Sequence, residues 1–176
     1  MSSVKIGVIG YSAKSFPIFE AYSKILSTLE KAIESSACYM VYRSETWEQV
    51  SKLEYQQHPG IVKHKSYPPF EIVSGLTDYG IPALVYCVTK DKSLRHFDIE
   101  TVGFAPKCAL NDNICKVDKQ MIVGENYGDE SKEFIEYIDI LIKVGGGSQS
   151  IRELKMFRET KPNNLCIVKP LKAYVS

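Results

Sequence analysis

Three consecutive glycines, Gly145 to Gly147, separate an apolar run from a segment in which Ile151, Leu154 and Phe157 recur at helical spacing. This pattern predicts a buried strand, a tight turn and an amphipathic helix. Glycine tolerates positive φ and has no Cβ, so three in a row favour a turn that another molecule approaches closely. A plain connector is the alternative, because glycines are common between strands and helices.

The first turn of the helix after these glycines has N–H groups without intrahelical partners, and such groups attract anions, phosphate above all. We therefore expect a phosphate group to bind the three glycines together with Ser148, Gln149 and Ser150. Glu153 has two interpretations. It is either a functional carboxylate or the second member of an S-x-x-E capping box, in which it would accept a backbone hydrogen bond.

The rest of the chain repeats the order strand, glycine turn, helix. The run from Val4 to Gly10 shows no strict alternation, which is typical of a parallel strand buried on both faces. An apolar stripe over residues 18–33 then predicts the surest helix, beginning near Ser15 or Phe16. Further strands are predicted at residues 38–42, 70–74, 100–106, 119–124 and 165–168, and further helices with Pro82 near one start and Asp129 as the N-cap of another.

This alternation predicts one Rossmann-like, three-layer α/β/α domain over residues 1–176, with a mainly parallel sheet. Residues 38–70 are the exception: beyond a short helix around Trp47 the pattern is weak and contains breakers, so we expect an excursion or mobile insert. In a parallel sheet every strand-to-helix turn lies at the carboxyl edge, where open α/β sheets bind ligands. The other candidate ligand-binding residues at these turns are Gly10, Tyr11, Ser12, Gly75, Thr77 and Gly103.

Composition narrows the function classes. The 22 Lys and Arg residues nearly balance 21 Asp and Glu, and no long basic block occurs, so nucleic acid is not an expected partner. No apolar run reaches the length of a membrane span or signal peptide, and we expect a soluble, cytoplasmic protein. The sequence contains neither a P-loop nor the G-x-G-x-x-G fingerprint, which disfavours ATP hydrolysis and classical NAD chemistry.

The cysteines and histidines give no metal-site pattern. Five cysteines without a C-x-x-C pair suit a reducing compartment, and we expect most of them to be core thiols, Cys166 especially. His58 and His64 have no Cys or His partner at metal spacing, so surface histidines are the expectation and no metal is predicted.

The order of three motifs resembles the LOG/SLOG superfamily, which includes proteins once labelled lysine decarboxylases, the lonely-guy nucleotide phosphoribohydrolases and carriers of molybdenum cofactor. The motifs lie at residues 74–80, 102–106 and 145–153. The last resembles the family's P-G-G-x-G-T-x-x-E, with Gly145 for Pro, Gln149 for the third Gly, Ser150 for Thr, and Glu153 retained. The resemblance covers most of the chain apart from residues 38–70. It implies a Rossmann-like fold, a nucleotide or molybdenum-cofactor-like ligand, and a homodimer or larger oligomer.

Catalytic members of the superfamily carry an Arg-Lys pair on the preceding helix, and Glu130 and Ser131 occupy those positions here. This change reverses the local charge and removes a stabiliser of the transition state. Our first hypothesis is therefore a module that binds a phosphate-bearing small molecule without catalysis. The second is an enzyme acting on an N-glycosidic bond, with Glu153 as nucleophile or ion-stabilising carboxylate and Glu130 or Asp129 as the second acid/base group.

Overall fold

The computed structural model describes residues 2–12, 15–36, 38–43 and 61–171, with the backbone alone in 38–43 and 61–66. The strands are β1 (Val4–Gly10), β2 (Cys38–Arg43), β3 (Ile61–Ser66), β4 (Phe70–Gly75), β5 (Ile99–Ala105), β6 (Lys119–Ile122), β7 (Ile140–Val144) and β8 (Cys166–Lys169). The α-helices of this part of the chain are α1 (Ile18–Ser35), α2 (Gly80–Val88), α3 (Ser131–Tyr137) and α4 (Ser148–Thr160).

Six strands form one parallel sheet in the order β6-β5-β4-β1-β7-β8. From β1 the chain first builds outward through β4, β5 and β6, and then crosses to the other side of β1 to add β7 and β8. The strand order therefore reverses between β1 and β7. In open α/β sheets the crevice at such a reversal, outside the carboxyl ends of the strands, is the usual place for a ligand.

Alternating side chains of the strands serve two separate apolar layers. On one face Ile6 and Val8 of β1 pack in a cluster with Ile25 and Leu29 of α1 and with the buried side of α2. On the other face Ile9 joins a cluster in which side chains of the sheet pack against Phe134 of α3 and Phe157 of α4. The predicted three-layer α/β/α fold with a parallel sheet is confirmed.

Residues 38–70 depart from this pattern, since β2 and β3 form a separate two-stranded antiparallel sheet. The sequence predicts β2 but not β3, because the charged run Lys63-His64-Lys65 has low strand propensity and hides the alternation. The helix expected around Trp47, and His58, lie outside the described residues. Helix α1 also begins later than expected, at Ile18 after the N-cap residue Pro17.

None of the described cysteine side chains is fully buried. Cys87 is exposed and Cys108 is half-buried, whereas the half-buried Cys115 and Cys166 pack against the two apolar clusters. The expectation of core thiols is therefore wrong for Cys87 and Cys108, and Cys115 and Cys166 lie at the margin of the core. Cys166 does lie in a strand, but β8 is an edge strand and covers it incompletely. No helix in the described ranges is long and apolar enough to cross a membrane.

Candidate functional site

Three strand-to-helix turns lie at the carboxyl edge of the neighbouring strands β4, β1 and β7. Tyr11, in the turn after β1, contacts the other two turns. Its carbonyl oxygen accepts a hydrogen bond from the N–H of Ile81 at 2.8 Å. A Cβ built on Gly145, whose φ is +73°, would lie 2.6 Å from the Tyr11 ring, and one on Gly146 would lie 3.1 Å from its hydroxyl oxygen. Tyr11 therefore occupies the space that is open because Gly145 and Gly146 have no Cβ.

Helix α4 begins without a capping side chain. Its N-cap residue is Gly147, whose φ of +146° belongs to the region that glycine adopts without strain. Ser150 lies inside the helix and donates to the carbonyl oxygen of Gly147 at 3.0 Å, while Glu153 accepts its hydrogen bonds from side chains. The capping-box interpretation is therefore wrong, and the N–H groups of the first turn are left for another acceptor.

Helix α4 buries polar side chains and exposes an apolar one. Ser150, Glu153 and Phe157 face inward with 2%, 6% and 0% exposure, whereas Ile151 is 58% exposed. The apolar stripe predicted from the sequence is thus wrong at Ile151. Helix α4 is rotated about its axis relative to the predicted orientation, so that Ile151 faces away from the core. Packing for stability alone would favour Ile151 inside and Glu153 outside. A local conflict of this kind is expected at a functional site.

Two carboxylates meet where α3 and α4 begin. The Nε2 atom of Gln149 donates to Oε1 of Glu130 at 3.0 Å and to Oε1 of Glu153 at 2.9 Å. Glu153 Oε1 also accepts from the Ser131 hydroxyl at 2.7 Å, and Glu130 Oε2 accepts from the Gly128 N–H at 2.8 Å. Because one nitrogen binds both Oε1 atoms, these atoms lie no more than about 6 Å apart.

Burial raises the pKa of Glu153. The hydrogen bonds from Gln149 and Ser131 act in the opposite direction, whereas the nearby carboxylate of Glu130 raises the pKa further. In the described residues no Lys or Arg nitrogen lies within 4 Å of either carboxylate. Glu153 therefore keeps its proton to a higher pH than an exposed glutamate does.

Glu130, Gln149 and Glu153 line a narrow cavity, which we call the acid pocket. Its volume is about 60 Å³, whereas drug-sized ligands occupy sites of about 300–1,000 Å³. The pocket thus has room for one chemical group of a ligand, and the remainder must lie outside it. The other lining residues are Val8, Ile9, Gly10, Ser12, Ser74, Gly75, Pro82, Phe104, Phe134 and Ser150.

The predicted site residues fall into three groups. Glu130, Glu153, Gly10, Ser12, Gly75, Gln149 and Ser150 line the acid pocket. Tyr11, the three glycines from Gly145 to Gly147, and the exposed Ser148 form the adjoining turn and helix start. Thr77 and Gly103 stand apart from both.

The two separate residues have structural explanations. Gly103 lies inside β5 rather than in a turn, and a Cβ there would come 2.0 Å from the side chain of Leu76. Thr77 pairs with Ile114 in an isolated β-bridge and donates to the carbonyl oxygen of Tyr79 at 3.3 Å. Both residues therefore serve packing and turn formation.

Asp129 is not the N-cap of α3, because Glu130 holds that position. Its Oδ2 accepts from the N–H groups of Glu125 and Asn126 at 3.0 and 2.9 Å, so it stabilises the preceding turn. This arrangement leaves Glu130, rather than Asp129, beside Glu153.

Sequence reasoning missed Lys143, Ser74 and Phe104, which lie inside predicted strands. Lys143 is 6% exposed, burial lowers its pKa, and its ammonium group donates to the carbonyl oxygen of Gly145. It thus places a cationic side chain under the glycine turn. Lys143 could have been recognised from the sequence, because it is a lysine within an apolar strand and lies two residues before three consecutive glycines.

No protein-family model and no curated protein matches the chain in sequence. Among solved structures, the molybdenum cofactor carrier protein MCP from Chlamydomonas reinhardtii is similar with a TM-score of 0.58 and 14% identity, over 95% of this chain and 76% of that one. The structural-genomics target TM1055 is similar with a TM-score of 0.55 and 13% identity, over 89% of this chain and 69% of that one. The chain therefore shares the Rossmann-like α/β fold of these two proteins. At these identities the likeness concerns the fold, and it agrees with the resemblance seen in the order of the motifs.

Proposed function

We propose that the protein binds a phosphate-bearing small molecule, such as a nucleotide, at the carboxyl edge between β1 and β7. The observation that carries this proposal is the start of α4, where a glycine turn leads into a helix without a capping side chain, at the reversal of the strand order. Backbone N–H groups at such a position bind phosphate. The carrier protein with a similar fold supports a binding role by analogy alone.

The charges at the site suggest how the ligand is oriented. A phosphate inside the acid pocket would face Glu130 and Glu153, and two unit charges 4 Å apart repel by about 4 kcal/mol at an effective dielectric constant of 20. Outside the pocket the same phosphate would meet the N–H groups of the first turn of α4. The buried ammonium group of Lys143, which donates to the carbonyl oxygen of Gly145, would attract it from beneath the glycine turn. The phosphate therefore belongs on the turn, and another part of the ligand enters the pocket.

Two substitutions at Ser148 test the backbone contact. Ser148 is the first residue of α4, where proline is well tolerated, so Ser148→Pro removes one N–H donor and leaves the helix intact. Ser148→Ala removes the hydroxyl group but keeps that donor. Binding of adenosine monophosphate and of inorganic phosphate would be measured by calorimetry, with circular dichroism as the check on folding.

We expect Ser148→Pro to weaken phosphate binding about tenfold, because a hydrogen bond to a charged group contributes about 1.5–3 kcal/mol, and Ser148→Ala to bind like the wild type. Equal affinity of the two variants would contradict the backbone contact. Absence of binding by any phosphate-bearing compound to the folded wild type would overturn the proposed function.

The acid pair favours a second candidate function, cleavage or transfer at an N-glycosidic bond. Glu130 and Glu153 lie close together, and burial raises the pKa of Glu153; carboxylates with unequal environments can divide the roles of acid and nucleophile. The required result is release of free base from a nucleoside monophosphate, abolished by Glu153→Gln. Equal rates in the two proteins would exclude Glu153. Binding ranks first, because Glu130 and Ser131 replace the cationic pair of the catalytic relatives.

A further inference from the structure

We propose that Tyr11 closes the phosphate site in the ligand-free protein, and that its ring rotates away before a phosphate group reaches the glycine turn. The proposal rests on the proposed function and adds a contact that controls access to the same site. It follows from the position of the ring, from the bonds that hold the main chain of Tyr11, and from the lack of a partner for its hydroxyl group.

The ring of Tyr11 lies across all three glycines of the turn. A Cβ built on Gly145 would lie 2.6 Å from Cε2 and 2.7 Å from Cδ2 of the ring. One on Gly146 would lie 3.1 Å from the hydroxyl oxygen and 3.6 Å from Cε1, and one on Gly147 would lie 4.0 Å from Cδ1. Both sides of the ring are thus in contact with the turn. A phosphate group cannot occupy the space over these glycines while the ring lies there.

The main chain of Tyr11 is held firmly. Its carbonyl oxygen accepts a hydrogen bond from the N–H of Ile81 at 2.8 Å. The chain also passes so close to Gly80 that a Cβ there would lie 2.4 Å from the same oxygen. A movement that opens the turn therefore belongs to the side chain of Tyr11 and not to the backbone of this segment.

The side chain of Tyr11 is held less firmly than its main chain. The residue is half-buried, and its hydroxyl group makes no hydrogen bond within the described ranges. Rotation about χ1 therefore breaks no hydrogen bond of the hydroxyl group to this part of the chain, and rotamer changes of side chains that reach solvent are fast. The ring is the movable part of an otherwise fixed turn.

A closed ring lowers the apparent affinity of the site. If phosphate binds the open form alone, the apparent dissociation constant equals the intrinsic constant divided by the fraction of open molecules. Minor conformations are commonly populated at about 0.1–10%. An open fraction of about 10% thus weakens binding about tenfold, and removal of the ring restores the intrinsic affinity. A ring that contacts the bound phosphate predicts the opposite change.

Calorimetric titrations with inorganic phosphate would compare the wild type with Tyr11→Ala, Tyr11→Phe and Tyr67→Ala, and circular dichroism would check the fold of each. Tyr67 is the matched control, because it is also half-buried but lies before the amino end of β4 and donates to Oε1 of Glu34 at 2.8 Å. We expect Tyr11→Ala to bind phosphate about tenfold more tightly than the wild type. Tyr11→Phe keeps the ring and should bind like the wild type, as should Tyr67→Ala.

Fluorine NMR of the wild type labelled with fluorotyrosine gives a second measurement, which does not require the alanine variant to fold. The signal of Tyr11 is the one that is absent from labelled Tyr11→Phe. Saturation with inorganic phosphate should move this signal towards the frequency of free fluorotyrosine, because the ring leaves the turn for solvent.

Equal or weaker phosphate binding by folded Tyr11→Ala would overturn the proposal while leaving the proposed function intact. A Tyr11 fluorine signal that stays in place at saturating phosphate would do the same. Failure of both the wild type and Tyr11→Ala to bind inorganic phosphate or adenosine monophosphate, with the fold intact, would overturn this proposal and the proposed function together.

Discussion

Replacing Glu153 by glutamine should stabilise the protein at alkaline pH, although Glu153 lies at the centre of the candidate site. Glutamine has nearly the same shape, and its carbonyl oxygen can accept the hydrogen bonds that Ser131 and Gln149 now donate to Oε1. The substitution therefore leaves no cavity and keeps the two hydrogen bonds from Ser131 and Gln149. It replaces Oε2 by an NH2 group and removes a buried negative charge next to Glu130.

The pH dependence follows from the direction of the pKa shift. Burial raises the pKa of Glu153 in the folded protein above its unfolded value, so the folded state binds this proton more tightly than the unfolded state does. The stabilisation that the folded state gains from binding this proton is complete below the unfolded pKa of Glu153 and is lost as the pH rises through its folded pKa. Each tenfold change in the acid dissociation constant corresponds to about 1.4 kcal/mol.

We expect Glu153→Gln to raise the free energy of unfolding by about 1 kcal/mol at about pH 8, which corresponds to a Tm increase of about 2–4 °C for a domain of this size, and by less at about pH 5. Urea denaturation at both pH values measures the difference. Glu159→Gln is the matched control, because Glu159 lies on the same helix, is exposed, and forms a surface ion pair with Lys155 at 3.8 Å. A Glu153→Gln variant that is less stable than the wild type by the same amount at both pH values would refute the reasoning.

Three further predictions concern the turn, the core and the assembly. Gly145→Ala should destabilise more than Gly128→Ala, because both have positive φ, at +73° and +100°, but only the Gly145 Cβ would collide with Tyr11; equal losses in urea denaturation would contradict this. Phe157→Ala should lower the free energy of unfolding by about 3–5 kcal/mol, since the ring is 0% exposed, and a loss below about 1 kcal/mol would show that the site collapses to fill the space. Sedimentation at micromolar concentration should give a dimer mass, as the family resemblance and the 91% exposure of Phe19 suggest, and a monomer mass would contradict it.

The sequence was sufficient for the main sheet because its strands carry strong periodic signals. Buried parallel strands such as β1 and β7 are short apolar runs followed by glycine, and this pattern does not depend on distant contacts. Strand β3 was not predictable in the same way, since Lys63 and Lys65 have low strand propensity and pairing with β2 sets its conformation. The start of α1 was misplaced because Pro17 fits both an N-cap and a first-turn position.

The residues of the candidate site could be predicted from the sequence, but the orientation of their side chains and their mutual contacts could not. The position of Glu153 after the glycine turn and the unusual Glu130 both indicate a functional role, and the structure places the two side chains in one pocket. The rotation of α4, which buries Glu153 and exposes Ile151, depends on packing against α3 and the sheet, and helical spacing alone does not determine it. The contact of Tyr11 with the glycine turn likewise joins segments far apart in sequence.

Amide-resolved NMR tests most directly whether a phosphate group binds at the glycine turn and the first turn of α4. Isotope-labelled protein would be titrated with adenosine monophosphate and, separately, with inorganic phosphate. The amide signals of Gly146, Gly147, Ser148 and Gln149 should shift with a common saturation curve in both titrations, while those at the amino edge of the sheet, such as Lys5, stay in place. A folded spectrum in which these four amides do not move at saturating ligand, or in which the shifts are confined to another part of the protein, would contradict the claim.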